Sequence, residues 1–169
     1  HHRLEMLNII CKNNHFEISD FEIKEDLNQK KISYTLNTLK YFKKNIGSTL
    51  IFILGADAFS KINEWYKWEE ILKYCHLVLA DREGLEPNIR KMPNEVQIFF
   101  NDNVTNDVND LILNNQGKIY PIRMPLFNES SSQIRDRLKK NLDIKDLIPE
   151  TIHDYILQNR LYNLPGHNK

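Results

Sequence analysis

Leu50-Ile51-Phe52-Ile53-Leu54-Gly55-Ala56-Asp57 is an apolar run that ends abruptly at a glycine and a carboxylate. A short apolar run bounded by glycine is typical of a strand buried on both faces, as in the middle of a parallel sheet. Ligands of open parallel sheets bind outside the carboxyl ends of the strands. The residues that follow Leu54 are therefore the first candidates for a functional site.

Three residues after this strand could serve a nucleotide. Gly55 would let a ligand approach the backbone closely. Asp57 offers a carboxylate to a sugar hydroxyl, and Trp65 offers a flat face to an aromatic ring. The same residues also fit a plain strand, a turn and a core tryptophan, so this segment alone leaves both interpretations open.

The composition predicts one globular domain and no polyanionic partner. The chain has 169 residues, of which 41% are hydrophobic and 27% charged, which is enough for a substantial core and excludes intrinsic disorder. Lys plus Arg and Asp plus Glu number 23 each, so the charge gives no support for a nucleic-acid or membrane-surface protein. No apolar stretch approaches the roughly 20 residues that span a bilayer. Cys11 and Cys75 lack metal-ligand spacing and predict buried thiols in a reducing cytoplasm.

Strand patterns alternate with helix patterns along the chain. This order predicts an α/β fold with a mainly parallel sheet in a single domain, residues 1–169. The Asn-rich residues 101–116 predict a mobile insertion with one helical turn. Besides the strand at 49–54, the predicted elements are a helix at 3–13, a short strand around 16–18, a helix with the stripe Leu36, Leu39 and Phe42 that Ser33 or Thr35 can cap and Gly47 ends, a strand at 76–80, a helix–strand pair over 88–100, a strand at 119–122, a helix at 130–140 and a last helix around 152–156.

Two helix starts and one arginine could bind anions. Ser130-Ser131-Ser132-Gln133-Ile134-Arg135 opens a helix, and the free N–H groups of a helix N-terminus suit phosphate. Arg135, one turn in, can reach the same anion with its guanidinium. An ordinary N-cap followed by a solvated basic helix explains this segment as well. Ser33-Tyr34-Thr35 can likewise hold a carboxylate or merely cap a helix, and Arg82 is either an anion ligand or a surface residue.

Several segments also agree in their order and spacing with a known family. They are Arg3-x-x-Met6-Leu7, the acidic stretch near Glu22, Ser33-Tyr34-Thr35 with Thr38-Leu39, Phe52-Ile53-x-Gly55-Ala56-Asp57, Trp65-Tyr66-x-x-Glu69-x-Ile71-Leu72, His76-Leu77-Val78 with Arg82-x-Gly84, Ser130-x-Ser132-x-Ile134-Arg135, and Leu147-x-Pro149 through Tyr155-Ile156 to Leu161-Tyr162. Together they resemble the bacterial nicotinate-nucleotide adenylyltransferases. The resemblance covers nearly the whole chain, and the agreement of independent motifs is more specific than any one of them.

The resemblance implies an enzyme of NAD biosynthesis that joins nicotinate mononucleotide to the adenylyl group of ATP, releasing pyrophosphate. It implies that Asp57 holds the adenosine ribose with Gly55 leaving space beside it, and that Trp65 stacks on the pyridine ring. By the same resemblance Thr35 and the backbone at Tyr66 recognise the nicotinate carboxylate, with Ser33 and Tyr34 in the same pocket.

For ATP, the resemblance implies phosphate binding by Ser130, Ser132 and Arg135, with Arg82 close by. Ser132 and Arg135 then become the candidate catalytic residues of an in-line displacement at the α-phosphorus, with no covalent enzyme intermediate. Mg²⁺ is expected to arrive with ATP rather than in a metal site of the protein. The expected partners are ATP and nicotinate mononucleotide, with no nucleic acid or membrane, in the cytoplasm; a homo-oligomer stays open.

The chain also departs from the family. The family opens with a Gly-x-Phe-x-Pro-x-His-x-Gly-His segment that residues 1–169 do not contain. The resemblance therefore implies a Rossmann-like domain, with helices on both faces of the sheet, whose first strand–helix portion is missing here. We accordingly expect residues 1–169 alone to be inactive and poorly folded, because the strand at 49–54 would keep an exposed apolar edge. Glu129 stands where the family usually has an apolar residue.

Two other functions remain as alternatives at this point. One is an adenylyltransferase of the same fold that acts on another phosphate, such as phosphopantetheine. The other is a non-catalytic nucleotide-binding module.

Overall fold

A computed structural model describes residues 1–12, 14, 16–24, 33–81, 89–125 and 130–162. The chain divides into two compact units, one formed by His1–Asp20 with Phe127–Lys169 and the other by Phe21–Leu126. The strands are β1 (Ile51–Gly55), β2 (His76–Asp81) and β3 (Ile119–Arg123); the α-helices are α1 (His2–Cys11), α2 (Thr35–Ile46), α3 (Ala56–Phe59), α4 (Asn94–Asn103), α5 (Asn109–Leu113), α6 (Ser131–Lys139) and α7 (Glu150–Gln158).

The larger unit, Phe21–Leu126, is built on a parallel sheet with the strand order β1-β2-β3. Phe52 of β1 and Ile119 of β3 both lie opposite Leu77 of β2. Helices connect the strands, as parallel pairing requires. The predicted α/β fold with a mainly parallel sheet is confirmed.

The strand buried on both faces is β2, not β1. His76, Leu77 and Leu79 of β2 are inaccessible to solvent, whereas Ile51 and Ile53 of β1 are 46% and 67% exposed. The prediction of complete burial for the strand at 49–54 was therefore wrong for these residues. In the described part of the chain β1 pairs only with β2, which leaves one edge and one face of β1 uncovered.

Pro121 identifies β3 as the other edge of the sheet. The N–H of Leu77 donates to the carbonyl of Lys118, and the N–H of Met124 donates to the carbonyl of Asp81, both at 2.8 Å. Even-numbered residues of β3 thus bond to β2, and Pro121 faces away from it, where its missing N–H removes no bond of the ladder. The N–H of Thr105 donates to the carbonyl of Ile119 at 2.9 Å and covers the start of this edge.

Helix α2 lies where its apolar spacing predicted it. Leu36 and Leu39 are buried, and Gly47 ends the helix in a left-handed conformation at φ +68°, which glycine adopts without strain. The N-cap is Tyr34 and makes no side-chain capping bond, so the prediction of a Ser33 or Thr35 cap was wrong. The main chain of Tyr34 accepts the first helical bonds, from Asn37 and Thr38.

Two other predicted elements differ from the structure. Residues 16–18 form no strand, and Phe16 is 69% exposed, because no described strand lies beside them. Residues 89–103 form a turn and α4 rather than a helix–strand pair. Residues 101–116 hold the end of α4 and all of α5, fixed by a bond from Thr105 Oγ1 to Asp110 Oδ2. The mobility of that insertion and the single domain stay predictions.

The smaller unit has a core of its own. Leu138, Ile144, Ile152 and Ile156 form it, and Met6 of α1 packs against it. Helix α1 contains no fully buried residue, and it meets α7 where His2 Nδ1 lies 3.0 Å from the Tyr155 hydroxyl. The described part of the chain contains no helix long and apolar enough to cross a membrane.

The two thiols differ in their surroundings. Cys75 is buried as predicted, and burial raises the pKa of its thiol to about 12, with the charge of Lys43 opposing the shift. Cys11 is only partly buried, so the prediction of a buried thiol was wrong there. It lies on α1, a helix with no fully buried residue.

His76 holds the loop that precedes β3. The ring is fully buried. The N–H of Lys118 donates to its Nδ1 at 3.0 Å, so its Nε2 carries the proton and donates to the Asn114 carbonyl at 2.9 Å. One neutral imidazole therefore satisfies a donor and an acceptor of the loop.

We expect His76→Phe to lower the free energy of unfolding of the full-length protein by about 2–4 kcal/mol, because two backbone groups lose their partners. Urea denaturation followed by circular dichroism measures this. His76→Gln, whose carboxamide offers one donor and one acceptor, should cost less. Equal stability of the phenylalanine variant and the wild type would contradict the assignment.

Candidate functional site

The carboxyl end of β1 leaves room for a ligand at Gly55. This residue ends β1 and is the N-cap of α3, at φ −72° and ψ 149°, a conformation that any residue can adopt. A Cβ placed there would meet no atom of the described residues within 4 Å. Neither the backbone nor the packing of the described residues requires a glycine here, so this side of Gly55 has room for a ligand.

Asp57 stands next to this space. It lies in the first turn of α3 and is exposed. Its main-chain carbonyl accepts a bond from the Ser60 hydroxyl at 2.7 Å, but its carboxylate bonds to no other described residue. A carboxylate in this position can accept hydrogen bonds from a ribose, and that role of Asp57 stays a prediction.

The aromatic residues after α3 divide into a packed ring and an exposed one. Trp65 is partly buried against the core, with its ring centre 6.4 Å from that of Phe52. Tyr66 is 46% exposed, and its ring stacks on that of Tyr34 with centres 4.5 Å apart and planes 29° apart. The partial burial of Trp65 fits both a packing role and a stacking role, so its contact with a pyridine ring stays a prediction.

The Tyr34–Tyr66 stack joins two predicted parts of the nicotinate pocket. It brings the start of α2, with Ser33 and Thr35, to the segment that contains Tyr66. The amides of Thr35 and Leu36 bond to no other described group, so α2 presents free N–H groups and the positive end of its dipole. The Thr38 hydroxyl, one turn on, donates to Glu22 Oε1 at 2.7 Å.

Helix α6 of the smaller unit begins with a complete capping box. Ser130 Oγ accepts from the N–H of Gln133 at 3.2 Å, and the N–H of Ser130 donates to Gln133 Oε1 at 2.9 Å. Arg135 Nη2 donates to Ser132 Oγ at 3.2 Å. The N-cap interpretation thus describes Ser130 correctly, while its hydroxyl hydrogen and the exposed guanidinium of Arg135 remain available to an anion.

Arg135 lines a cleft together with Arg3, a residue for which the sequence predicted no role. The cleft has a volume of about 650 Å³, and its polar lining is His2, Arg3, Ser131, Arg135 and Tyr162. Met6, Leu7, Ile10 and Leu161 supply an apolar lining. Two guanidinium groups that line one cleft are suited to bind a phosphate. A sequence signal existed: Arg3 falls at helical spacing with Leu7 and Ile10, on the side of α1 that should be apolar.

Two of the residues discussed in the sequence, Arg82 and Glu129, lie outside the described residues.

The other predicted site residues divide between the two units. The larger unit contains Gly55, Asp57, Trp65 and the start of α2, and the smaller unit contains Ser130, Ser132 and Arg135. Across the described ranges, no three His, Cys, Asp or Glu side chains cluster in a way that could hold a metal ion.

Comparison with known proteins connects this geometry to a family. The cytidylyltransferase-like family profile matches residues 1–137. A protein of Dechloromonas aromatica (strain RCB), named "Probable nicotinate-nucleotide adenylyltransferase", is 31% identical over 163 residues, covering 95% of this chain and 73% of that protein. The chain belongs to the nicotinate-nucleotide adenylyltransferase family.

Other members of the family agree. The Caldicellulosiruptor saccharolyticus protein with the same name is 34% identical over 161 residues, covering 95% of this chain and 72% of its own length. The fold also matches Plasmodium falciparum nicotinic acid mononucleotide adenylyltransferase complexed with APC. That match has a TM-score of 0.65 and 23% identity, and it covers 97% of this chain and 76% of that one. The Rossmann-like nucleotidyltransferase fold is confirmed.

Gly55→Ala and Gly47→Ala should separate binding from stability. At Gly55 the added methyl meets only open space, so we expect unchanged or slightly higher stability, up to about 1 kcal/mol, and weaker ATP binding in the full-length protein. At Gly47, where φ is +68°, alanine should lower stability by about 1 kcal/mol and leave ATP binding unchanged. Thermal unfolding and calorimetric titration measure both. Unimpaired ATP binding by Gly55→Ala would mean that the space serves no ligand.

Proposed function

We propose that this protein transfers the adenylyl group of ATP to nicotinate mononucleotide, which gives nicotinate adenine dinucleotide and pyrophosphate in NAD biosynthesis. The observation that carries the proposal is the start of α2, where the amides of Thr35 and Leu36 bond to no other described group and lie beside the Tyr34–Tyr66 stack. Free N–H groups at a helix N-terminus next to aromatic rings suit a carboxylate on a planar ring. The names of the curated relatives support the same substrate.

The reaction needs no nucleophile from the protein. A phosphate oxygen of the mononucleotide attacks the α-phosphorus of ATP, one P–O bond forms, and the bond to the β-phosphate breaks to release pyrophosphate. The contribution of the chain is then to align the two substrates and to stabilise the charge on the phosphates. Ser132 and Arg135 have the chemistry for the second task, and Arg3 lines the same cleft as Arg135.

Mg²⁺ is part of this proposal through the nucleotide. Nucleotidyl transfer from ATP generally uses Mg²⁺, whose preferred ligands are phosphate oxygens, carboxylates and water. The ion would arrive bound to the ATP phosphates and neutralise part of their charge. In the larger unit, the carboxylate of Asp57 bonds to no other described residue, and its proposed role is to hold ribose hydroxyls.

The cytoplasm is the proposed compartment. The thiols of Cys11 and Cys75 are both free, and free thiols persist in a reducing environment. Cell fractionation followed by immunodetection tests this.

The preference between acid and amide tests the substrate. Nicotinate mononucleotide should exceed nicotinamide mononucleotide at least tenfold in kcat/KM, because an amide turns its own donors toward the free N–H groups, and each unpaired donor costs about 1–3 kcal/mol. Pyrophosphate release by the full-length protein from ATP with each mononucleotide in turn measures this. Equal efficiency would contradict carboxylate recognition, and no release with either would favour a non-catalytic module.

The arginines of the smaller unit give a second test. We expect Arg3→Ala and Arg135→Ala each to lower kcat/KM for ATP by a factor of about 10 to 1000, since a charge-assisted contact to developing charge is worth a few kcal/mol. Arg137→Ala is the matched control: it lies on the same helix but lines a different cleft. If the three variants behave alike, the cleft of Arg3 and Arg135 does not bind phosphate.

A further inference from the structure

A chain of contacts runs from Tyr66 to Glu70. Lys67 Nζ lies 5.5 Å from the centre of the Tyr66 ring. The same Tyr66 ring stacks on the ring of Tyr34. The same ammonium group lies 4.0 Å from Glu70 Oε1. Lys67 therefore contacts a ring of the proposed nicotinate pocket and a carboxylate outside it.

The chain of contacts continues from Glu70 back to α2. Glu70 Oε2 lies 3.7 Å from Nζ of Lys40, whose ammonium also lies 5.3 Å from the centre of the Tyr74 ring. Each oxygen of one carboxylate thus faces a different lysine. Lys40 lies six residues beyond Tyr34, which is about 9 Å along the helix axis. We call the set Tyr34, Lys40, Tyr66, Lys67 and Glu70 the clasp.

The backbone at Lys67 turns the chain so that these contacts can form. Lys67 adopts a left-handed conformation at φ 49° and ψ 43° and is the N-cap of the 3-10 helix Trp68–Lys73. This conformation is unfavourable for a lysine. The N–H of Glu70 donates to the carbonyl of Lys67 at 2.9 Å, which closes the turn. Tyr66 and Glu70 are therefore held on one short turn that α2 meets at both of its contact points.

We propose that Glu70 is a positioning residue for the nicotinate carboxylate. Through Lys40 it holds α2, and through Lys67 it holds Tyr66, so it sets the separation between the free amides at the start of α2 and the backbone at Tyr66. This inference rests on the proposed function. A carboxylate and a carboxamide have nearly the same shape and differ in their hydrogens, so the amides can distinguish them only if their separation is fixed.

Because the charged side chains of the clasp are exposed, the positioning role of Glu70 can be tested without a loss of protein stability. The side chains of Lys40, Lys67 and Glu70 are 40%, 51% and 31% exposed, and ion pairs at such exposure contribute little to folding. Variants that remove one charge should therefore fold as the wild type does. An effect on substrate choice would then report the placement of the amides.

The test compares Glu70→Gln with Glu64→Gln in the full-length protein. Both remove one negative charge from neighbouring 3-10 helices, Ile62–Glu64 and Trp68–Lys73, but no described contact joins the Glu64 side chain to the clasp. We expect Glu70→Gln to lower the ratio of kcat/KM for nicotinate mononucleotide over nicotinamide mononucleotide about three- to fivefold, through a higher KM for the acid at unchanged kcat. Glu64→Gln should keep the ratio of the wild type.

Lys40→Gln and the double variant extend the comparison. If Lys40 and Glu70 act through one clasp, the double variant should lose no more selectivity than Glu70→Gln alone. If the losses of selectivity in the two single variants add in the double variant, Lys40 and Glu70 do not act through one clasp.

NMR can detect the contact between Lys67 and the Tyr66 ring independently of enzymatic activity. The Lys67 side-chain methylene protons, close to the Tyr66 ring, should resonate upfield in the wild type and in Glu64→Gln, and near their ordinary positions in Glu70→Gln. A lost upfield shift with an unchanged acid-to-amide ratio would overturn the role in selectivity, and an unchanged shift would overturn the clasp. If the wild type shows no adenylyl transfer, the proposed function fails and the selectivity role with it, while the NMR shift still decides whether Glu70 holds Tyr66.

Discussion

The backbone ladder of β2 with two parallel neighbours is the constraint on which the larger unit depends. The central strand β2 has a parallel neighbour on each edge. Since the strands are parallel, each connection must return to the end of the sheet where the previous strand began. That requirement places the carboxyl ends of all three strands along one border. Gly55 and Asp57 occupy this border because β1 ends there, and the turn after α3 then brings Tyr66 to the start of α2.

Patterns that depend on a single element were predictable. The apolar runs at 76–80 and 119–122 are strands, and the apolar stripe before Gly47 is a helix, because spacing and end residues carry that information locally. Features that need a partner were not predictable. Phe16 has the alternation of a strand, but no described strand lies beside it, and Tyr34 is the N-cap through its main chain. Arg3 acquires its position only when α1 and α6 line one cleft, which no local pattern encodes.

The candidate site and the core use opposite chemistry. The core of the larger unit is formed by apolar side chains and by His76, whose two ring nitrogens both contact the loop before β3. The candidate site consists of groups that bond to no other described residue, namely the amides of Thr35 and Leu36 and the carboxylate of Asp57, together with the space at Gly55. Groups with spare bonding capacity contribute little to folding, so they can bind a ligand without taking a bond away from the fold.

The two edges of the sheet differ in the described part of the chain. Pro121 offers no N–H at the outer edge of β3, and the contact of Thr105 with Ile119 covers the start of that edge. The outward N–H and C=O groups of β1 bond to no described residue. The larger unit can therefore accept a further strand along β1 but not along the whole of β3.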